Sequence, residues 1–117
     1  MPLAMLVAPP GDVRDAVGLF LAGLGWTTVP VPQAADGIAG RVAAVEPQIV
    51  AVDFRGDPAA ALACAAALSG AAGDVAVYLL NVPDDLRDDV AATAGTARLA
   101  TSAEDLPRAP GVPGPPH

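Results

Sequence analysis

Short runs of consecutive apolar residues alternate along the chain with longer segments in which apolar residues recur every three or four positions. The continuous runs are typical of strands that are covered on both faces. They comprise residues 3–8, 49–54 and 75–80. Segment 27–31 is rich in β-branched residues, but Pro30 lacks the N–H group that a ladder needs, so this strand is expected at a sheet edge. Residues 97–100 predict a short, weak last strand.

The segments between these strands carry the signals of amphipathic helices. Asp12 is expected to cap the first helix, and Asp57, followed by Pro58, the third. The second helix is expected to be soft because Gly37 and Gly40 interrupt it. The predicted helices cover residues 12–24, 33–45, 58–70 and 83–94. Only residues 102–106 remain for a fifth helix, which is therefore expected to be short or missing.

Strands that alternate with single helices imply right-handed crossovers and a parallel sheet. With the second strand at an edge, the chain is predicted to adopt an α/β fold of the flavodoxin-like, doubly wound type, with five parallel strands in the order 2-1-3-4-5. One domain is expected over residues 1–106. The Pro- and Gly-rich residues 107–117 are expected to form a disordered tail or a linker.

Asp53 is the residue that this topology makes most informative. In doubly wound sheets, ligands bind outside the carboxyl ends of the strands, at the switch point between strands one and three. Asp53 ends the third predicted strand and therefore lies at that point. A structural role is also open to it, in which its carboxylate accepts hydrogen bonds from backbone N–H groups or pairs with Arg55.

Composition and charge limit the possible partners. The chain is 53% hydrophobic and carries a formal charge of −7, with six arginines, no lysine and thirteen acidic residues. This balance repels phosphate backbones, and no basic stripe offsets it, so nucleic acid is not an expected partner. The amino terminus has no basic leader, and its first apolar run is too short to span a membrane, so a cytoplasmic protein that binds no membrane is expected.

Few side chains offer catalytic chemistry. His117 is the single histidine and ends the tail, which argues against histidine-dependent catalysis and histidine-ligated metal. No glycine-rich phosphate loop follows a strand, so no nucleotide cofactor is expected. The acidic segment 84–89 is interpreted as a solvated helix face, Cys64 as a buried apolar side chain, and Trp26 and Tyr78 as packing residues. The chain is not expected to be an enzyme.

Four segments stand in an order and spacing that carry a resemblance to a known family. They are 5–7 with 13–15, Leu24-Gly25-Trp26, 49–53 and 75–79. From residue 3 to about residue 106, the chain resembles the receiver domain of bacterial response regulators. The resemblance implies a site in which acidic residues after strand one hold Mg²⁺ and the aspartate after strand three takes a phosphoryl group. A Thr or Ser after strand four and a Lys after strand five then bind the phosphoryl oxygens.

Only Asp53 of that set is present in this chain. The acidic positions fall on Ala8, Pro9 and Pro10; the Thr or Ser position falls on Leu79, or on Leu80 with a one-residue slip; and the lysine position falls near Thr101 or Ser102. Phosphoryl transfer depends on a metal ion and a cationic side chain, and one carboxylate supplies too few ligands for Mg²⁺. The chain is therefore predicted to be an atypical receiver, or pseudo-receiver, that signals through protein–protein contact without phosphorylation, cofactor or resident metal.

Two other functions stay open. The chain could be a true receiver that is phosphorylated at Asp53 and then needs Mg²⁺, or a flavodoxin-like module that binds a small ligand. Helices one and five share a face of such a sheet, so a short fifth helix would leave apolar surface open near strands 3–5 and helix 4. A protein partner, a second copy or the tail is expected to cover that face, with a population shift between two surface arrangements as the output.

Overall fold

The computed structural model describes residues 3–33, 36–55, 57–71, 75–93, 98–100 and 106. Its strands form one parallel sheet in the order β2-β1-β3-β4-β5. The strands are β1 (Leu3–Val7), β2 (Thr27–Val31), β3 (Ile49–Asp53), β4 (Ala76–Leu80) and β5 (Arg98–Ala100). The predicted doubly wound α/β fold and its strand order are thus confirmed. The strand with Pro30 lies at the edge, where its missing N–H costs no ladder bond on the outer side.

Four α-helices connect the strands in the described part of the chain. They are α1 (Asp12–Gly23), α2 (Ile38–Val45), α3 (Pro58–Ala71) and α4 (Arg87–Thr93), and a 3₁₀ turn, Asp84–Leu86, leads into α4. Residues 94–97, 101–105 and 107–117 lie outside the described residues. The predictions for Ala94, Gly95, the fifth helix and the tail therefore stay predictions.

The start of α1 differs from its prediction. Gly11, with φ 146°, occupies the N-cap position, and Asp12 is the first helical residue rather than the cap. Glycine is suited to that position because a positive φ is costly for other residues. Asp12 and Asp15 instead place negative charge in the first turn, where the helix dipole favours it. Gly25, with φ 93°, ends the segment as predicted.

The second helix is shorter than predicted. It begins at Ile38 rather than at residue 33, because Gly37 takes a left-handed φ of 84° that the helix cannot include. Ile38 and Val42 are buried as the spacing predicted, whereas Val45 is only half-buried. The consequence for the site is that Gln33 belongs to the loop after β2.

The third helix begins as the sequence predicted. Asp57 Oδ1 accepts a hydrogen bond of 3.1 Å from the backbone N–H of Ala60, and Pro58 is the first helical residue. The acidic segment after Pro83 first forms the 3₁₀ turn, and its four aspartates are exposed, in agreement with a solvated face. None of the described helices combines the length and the apolar character that a bilayer span requires.

Two hydrophobic clusters lie on opposite faces of the sheet. Helices α2, α3 and α4 cover the first cluster, in which Cys64 is buried and burial raises the pKa of its thiol. Helix α1 covers the second through Val17 and Leu21, and Trp26 packs there as predicted. Leu106 also belongs to this second cluster and is buried. Leu106 therefore lies on the α1 side of the sheet.

Candidate functional site

The carboxyl ends of β1, β3 and β4 meet at one edge of the sheet, and Asp53 lies at their centre. In the parallel register, Val52 lies opposite Val7, and Asp53 lies opposite Leu80. The Asp53 side chain is fully buried, and it is the one charged residue that is buried among those the structure describes. A buried carboxylate needs close partners because water no longer solvates it.

Arg55 supplies most of those partners. Its Nη2 lies 2.8 Å from Asp53 Oδ2, and its Nε lies 3.2 Å from each carboxylate oxygen. Its backbone N–H donates a further bond of 2.9 Å to Oδ1. That last bond joins a side chain to the backbone two residues on, which is how aspartate commonly stabilises a turn. The structure thus shows both contacts of the structural role that the sequence left open to Asp53, the pairing with Arg55 and the hydrogen bond from a backbone N–H.

The Arg55 guanidinium closes the Asp53 pocket from the solvent side. Its side chain is 46% exposed, whereas that of Asp53 is 0% exposed. The hydrogen bond with Asp53 raises the pKa of Arg55, and the attraction of the carboxylate adds to this, against partial burial, which lowers it. The stability linked to this raised pKa is present below the ordinary arginine value and is lost only above it. Arg55 is therefore charged throughout the neutral range.

Asn81 is a contact that the sequence analysis did not assign. Its side-chain Nδ2 lies 3.5 Å from Asp53 Oδ1, a long hydrogen bond. Asn81 follows β4 directly with a φ of 58°, a left-handed conformation that asparagine tolerates better than most residues. Leu79 and Leu80, to which the Thr or Ser position was assigned, are both fully buried in the core. The first polar side chain after β4 is thus Asn81.

Gln33 ties two strand ends together beside the pocket. Its Nε2 donates to the carbonyl oxygen of Val7 at 3.4 Å and to that of Asp53. Because both neighbours are acceptors, the amide must turn its nitrogen toward them. Its Oε1 is then buried with no hydrogen-bond donor among the described residues. The loop after β2 is therefore fixed to the ends of β1 and β3.

The positions predicted for the acidic residues carry no carboxylate. Ala8 is fully buried in the second cluster, and Pro9 and Pro10 follow it on the way to α1. Thr101 and Ser102, to which the lysine position was assigned, lie outside the described residues. Within the described part of the chain, no three His, Cys, Asp or Glu side chains are grouped so that they could hold a metal ion.

This arrangement limits the chemistry of Asp53. A carboxylate that attacks phosphorus must direct one oxygen at the phosphoryl donor, while a metal ion and a cation neutralise the charge on the transferring group. Here the Arg55 guanidinium contacts both carboxylate oxygens of Asp53, and the Arg55 backbone N–H also donates a hydrogen bond to Oδ1. Attack would first require the Arg55 guanidinium to move away, and the buried carboxylate would then lack its cationic partner. The geometry favours a stable ion pair over a nucleophile.

A simple signal would have found the two residues that the sequence analysis missed. In a parallel sheet, the first polar side chain after each strand points to the same edge as the others. Counted from the last residue of each strand, that rule selects Asp53 at the end of β3, Asn81 directly after β4 and Gln33 two residues after β2. The assignment of Leu79 relied on spacing within the family pattern instead.

Comparison with known proteins agrees with the doubly wound fold. No protein-family model and no curated protein matches the chain. The signal receiver domain of a putative Luxo repressor protein from Vibrio parahaemolyticus is similar in structure, with a TM-score of 0.62 at 11% identity, over 88% of this chain and 82% of that chain. A response regulator protein from Burkholderia multivorans gives a TM-score of 0.56 at 16% identity, over 84% of this chain and 81% of that chain. The chain therefore has the fold of response-regulator receiver domains.

Proposed function

We propose that the chain is an atypical receiver, a signalling module that acts through protein–protein contact and independently of phosphorylation at Asp53. The observation that carries this proposal is the ion pair at the switch point, where Arg55 contacts both oxygens of the buried Asp53 carboxylate. The receiver fold supports a signalling role. The pairing of the Asp53 carboxylate with Arg55 supports the inference that this chain has lost the phosphoryl-transfer chemistry of receiver domains.

Two features of the pocket work against phosphorylation together. Mg²⁺ prefers near-octahedral oxygen coordination, and Ala8, Pro9 and Pro10 add no carboxylate oxygen to that of Asp53. The charge that a metal ion would neutralise is already neutralised by Arg55. Removal of Arg55 alone would therefore expose Asp53 without providing the metal ligands.

A direct test is to treat the chain with acetyl phosphate and Mg²⁺ and to follow its intact mass. No stable addition of a phosphoryl group is expected, because the carboxylate is paired and the metal ligands are missing. Beryllofluoride with Mg²⁺ is likewise expected to leave the amide spectrum unchanged. Asp53→Asn serves as the matched control, and a receiver domain with the full acidic and lysine set serves as the positive control.

The alternative, a true receiver, predicts the opposite result. Stoichiometric addition of one phosphoryl group that Asp53→Asn abolishes would overturn the proposal and establish Asp53 as an acceptor. Addition that Asp53→Asn leaves unchanged would locate the modification elsewhere and would keep the proposal intact.

The surface that we propose for protein contact is the α1 side of the sheet. Among the described residues, the large hydrophobic side chains that are exposed all lie on α1: Val13, Leu19 and Phe20. Ala76 and Tyr78 of β4 are only half-buried against the second cluster on the same side. Exposed apolar side chains beside a partly open face of a sheet are a common feature of interfaces. A protein partner or a second copy is proposed to bind there and to shift the module between two surface arrangements.

A further inference from the structure

A groove separates α1 from the edge strand β2, on the α1 side of the sheet. Its volume is about 620 Å³, within the range of about 300–1,000 Å³ that is typical of small-molecule sites. The residues that line it are different from those that surround Asp53. A ligand in this groove would therefore act independently of any phosphorylation at Asp53.

Small residues on α1 create the space. Arg14, Gly18 and Ala22 line the helix side of the groove at intervals of four, so they lie one above the other on one face of the helix. A Cβ atom built on Gly18 would meet nothing within 4 Å, which shows that the groove is open at its middle. Buried Leu6 contributes to the apolar lining.

The strand side of the groove combines apolar surface with a hydroxyl. Trp26, Thr28 and Pro30 alternate along the chain and therefore face the same side of the sheet. Because the chain reverses at Gly25, Trp26 lies toward the carboxyl end of α1, and Pro30 toward its amino end. Thr28 Oγ1 is buried and has no hydrogen-bond partner among the described residues.

Arg14 adds a poorly paired cation to the same groove. Its side chain is 30% exposed, and its ion pair with Asp15 is 4.0 Å long, with the Asp15 side chain 70% exposed at the rim. Arg14 also lies in the first turn of α1, where the helix dipole disfavours a positive charge and favours an anion. An anionic group beside Arg14 would pair with the guanidinium and would also interact favourably with the helix dipole. Solvent screens the repulsion between this anionic group and the exposed Asp15 side chain.

We propose that this groove binds a small amphipathic carboxylate, such as a medium-chain fatty acid or an arylalkanoate. Its carboxylate accepts hydrogen bonds from the Arg14 guanidinium at the amino end of α1. Its apolar body lies over Gly18 and Ala22, beside Trp26. The ligand bridges α1 and β2, so that a metabolite provides the input that phosphate provides elsewhere in this fold.

Trp26 makes the proposal measurable without a label, because it is the single tryptophan of the chain. Its fluorescence is followed while octanoate or 4-phenylbutyrate is added, and then the uncharged analogues 1-octanol and 4-phenylbutan-1-ol. Saturable changes are expected, with tighter binding of each acid than of its alcohol. Amide shifts at Gly18 and Thr28 would locate the bound probe.

Two substitutions separate the charge from the space. Arg14→Gln is expected to weaken binding of the acids by about tenfold or more and to leave the alcohols unchanged. Gly18→Leu is expected to fill the groove and to abolish binding of all four compounds, while its melting temperature rises because leucine favours a helix. Gly40→Leu in α2 is the matched control, since a Cβ there also meets nothing within 4 Å and Gly40 does not line the groove.

Several results would overturn the proposal. One is the absence of a saturable signal with all four compounds in the folded wild-type chain. A signal that persists unchanged in Gly18→Leu would show partition onto the surface instead of binding in the groove. Equal affinity of acid and alcohol would remove the role of Arg14. A change of oligomeric state in Gly18→Leu, without probe binding to the wild type, would assign the groove to a second copy.

Discussion

Replacement of Arg55 with alanine is expected to destabilise the protein by about 2 kcal/mol, because it removes the main partner of a buried carboxylate. Loss of one member of a fully buried ion pair costs about 3–5 kcal/mol. The smaller value is expected here because the Arg55 side chain is 46% exposed, and because its backbone N–H and Asn81 still donate to Asp53. Urea unfolding at neutral pH measures the change directly.

Arg87→Ala is the matched control for this substitution. Arg87 pairs with Asp84 at 3.0 Å, but both side chains are well exposed, so its removal is expected to change stability very little. The double variant Arg55→Ala with Asp53→Asn is expected to be more stable than Arg55→Ala alone, since it no longer buries an unpaired charge. If the Arg55 and Arg87 variants unfold at the same urea concentration, the ion pair at Asp53 does not stabilise the fold.

The strand order could be predicted because each strand carries its own signal. Runs that are apolar on both faces identify β1, β3 and β4 as central strands, and Pro30 assigns β2 to the edge. Helix boundaries were less predictable where glycine decides them. The spacing of Ile38 and Val42 predicts a helix, but it does not reveal that Gly37 adopts a left-handed φ and starts the helix later.

The candidate site was predictable at its centre and not at its border. Asp53 and its pairing with Arg55 follow from local sequence, since the two residues share one turn. Asn81 and Gln33 reach the site from chain positions 28 and 20 residues away. Such contacts depend on how the strand ends converge and on the loop after β2, and periodicity carries no information on either.

The closed Asp53 pocket has a physical consequence for how this fold could signal. In the family that the sequence resembles, an added phosphoryl group changes the charge and the contacts at the strand ends. Here Arg55 and Asn81 already donate hydrogen bonds to the Asp53 carboxylate. Gln33 already donates to the backbone at the end of β3. Under the proposed function, a change of state comes from a surface away from Asp53, and the exposed apolar residues of the described part of the chain lie on the α1 side of the sheet.

Leu106→Ala is expected to destabilise the protein by about 2–3 kcal/mol, in the lower part of the range of about 2–5 kcal/mol for a leucine that is truncated in a packed core. Leu106 is 5% exposed and belongs to the same buried cluster as Leu21, Trp26 and Leu80. It would thus act as the anchor that holds the chain after β5 against the α1 side of the sheet. Chemical denaturation, with the slope compared between variants, measures this loss.

Leu19→Ala and two truncations make the Leu106 test specific. Leu19 is 76% exposed on α1, so the same leucine-to-alanine change there is expected to alter stability by less than about 0.5 kcal/mol. A chain that ends at Leu106 is expected to match the full chain, whereas one that ends at residue 105 is expected to lose as much as Leu106→Ala. Such a pair of results would place the domain boundary at residue 106. Equal stability of both truncations would show instead that Leu106 does not contribute to the free energy of unfolding.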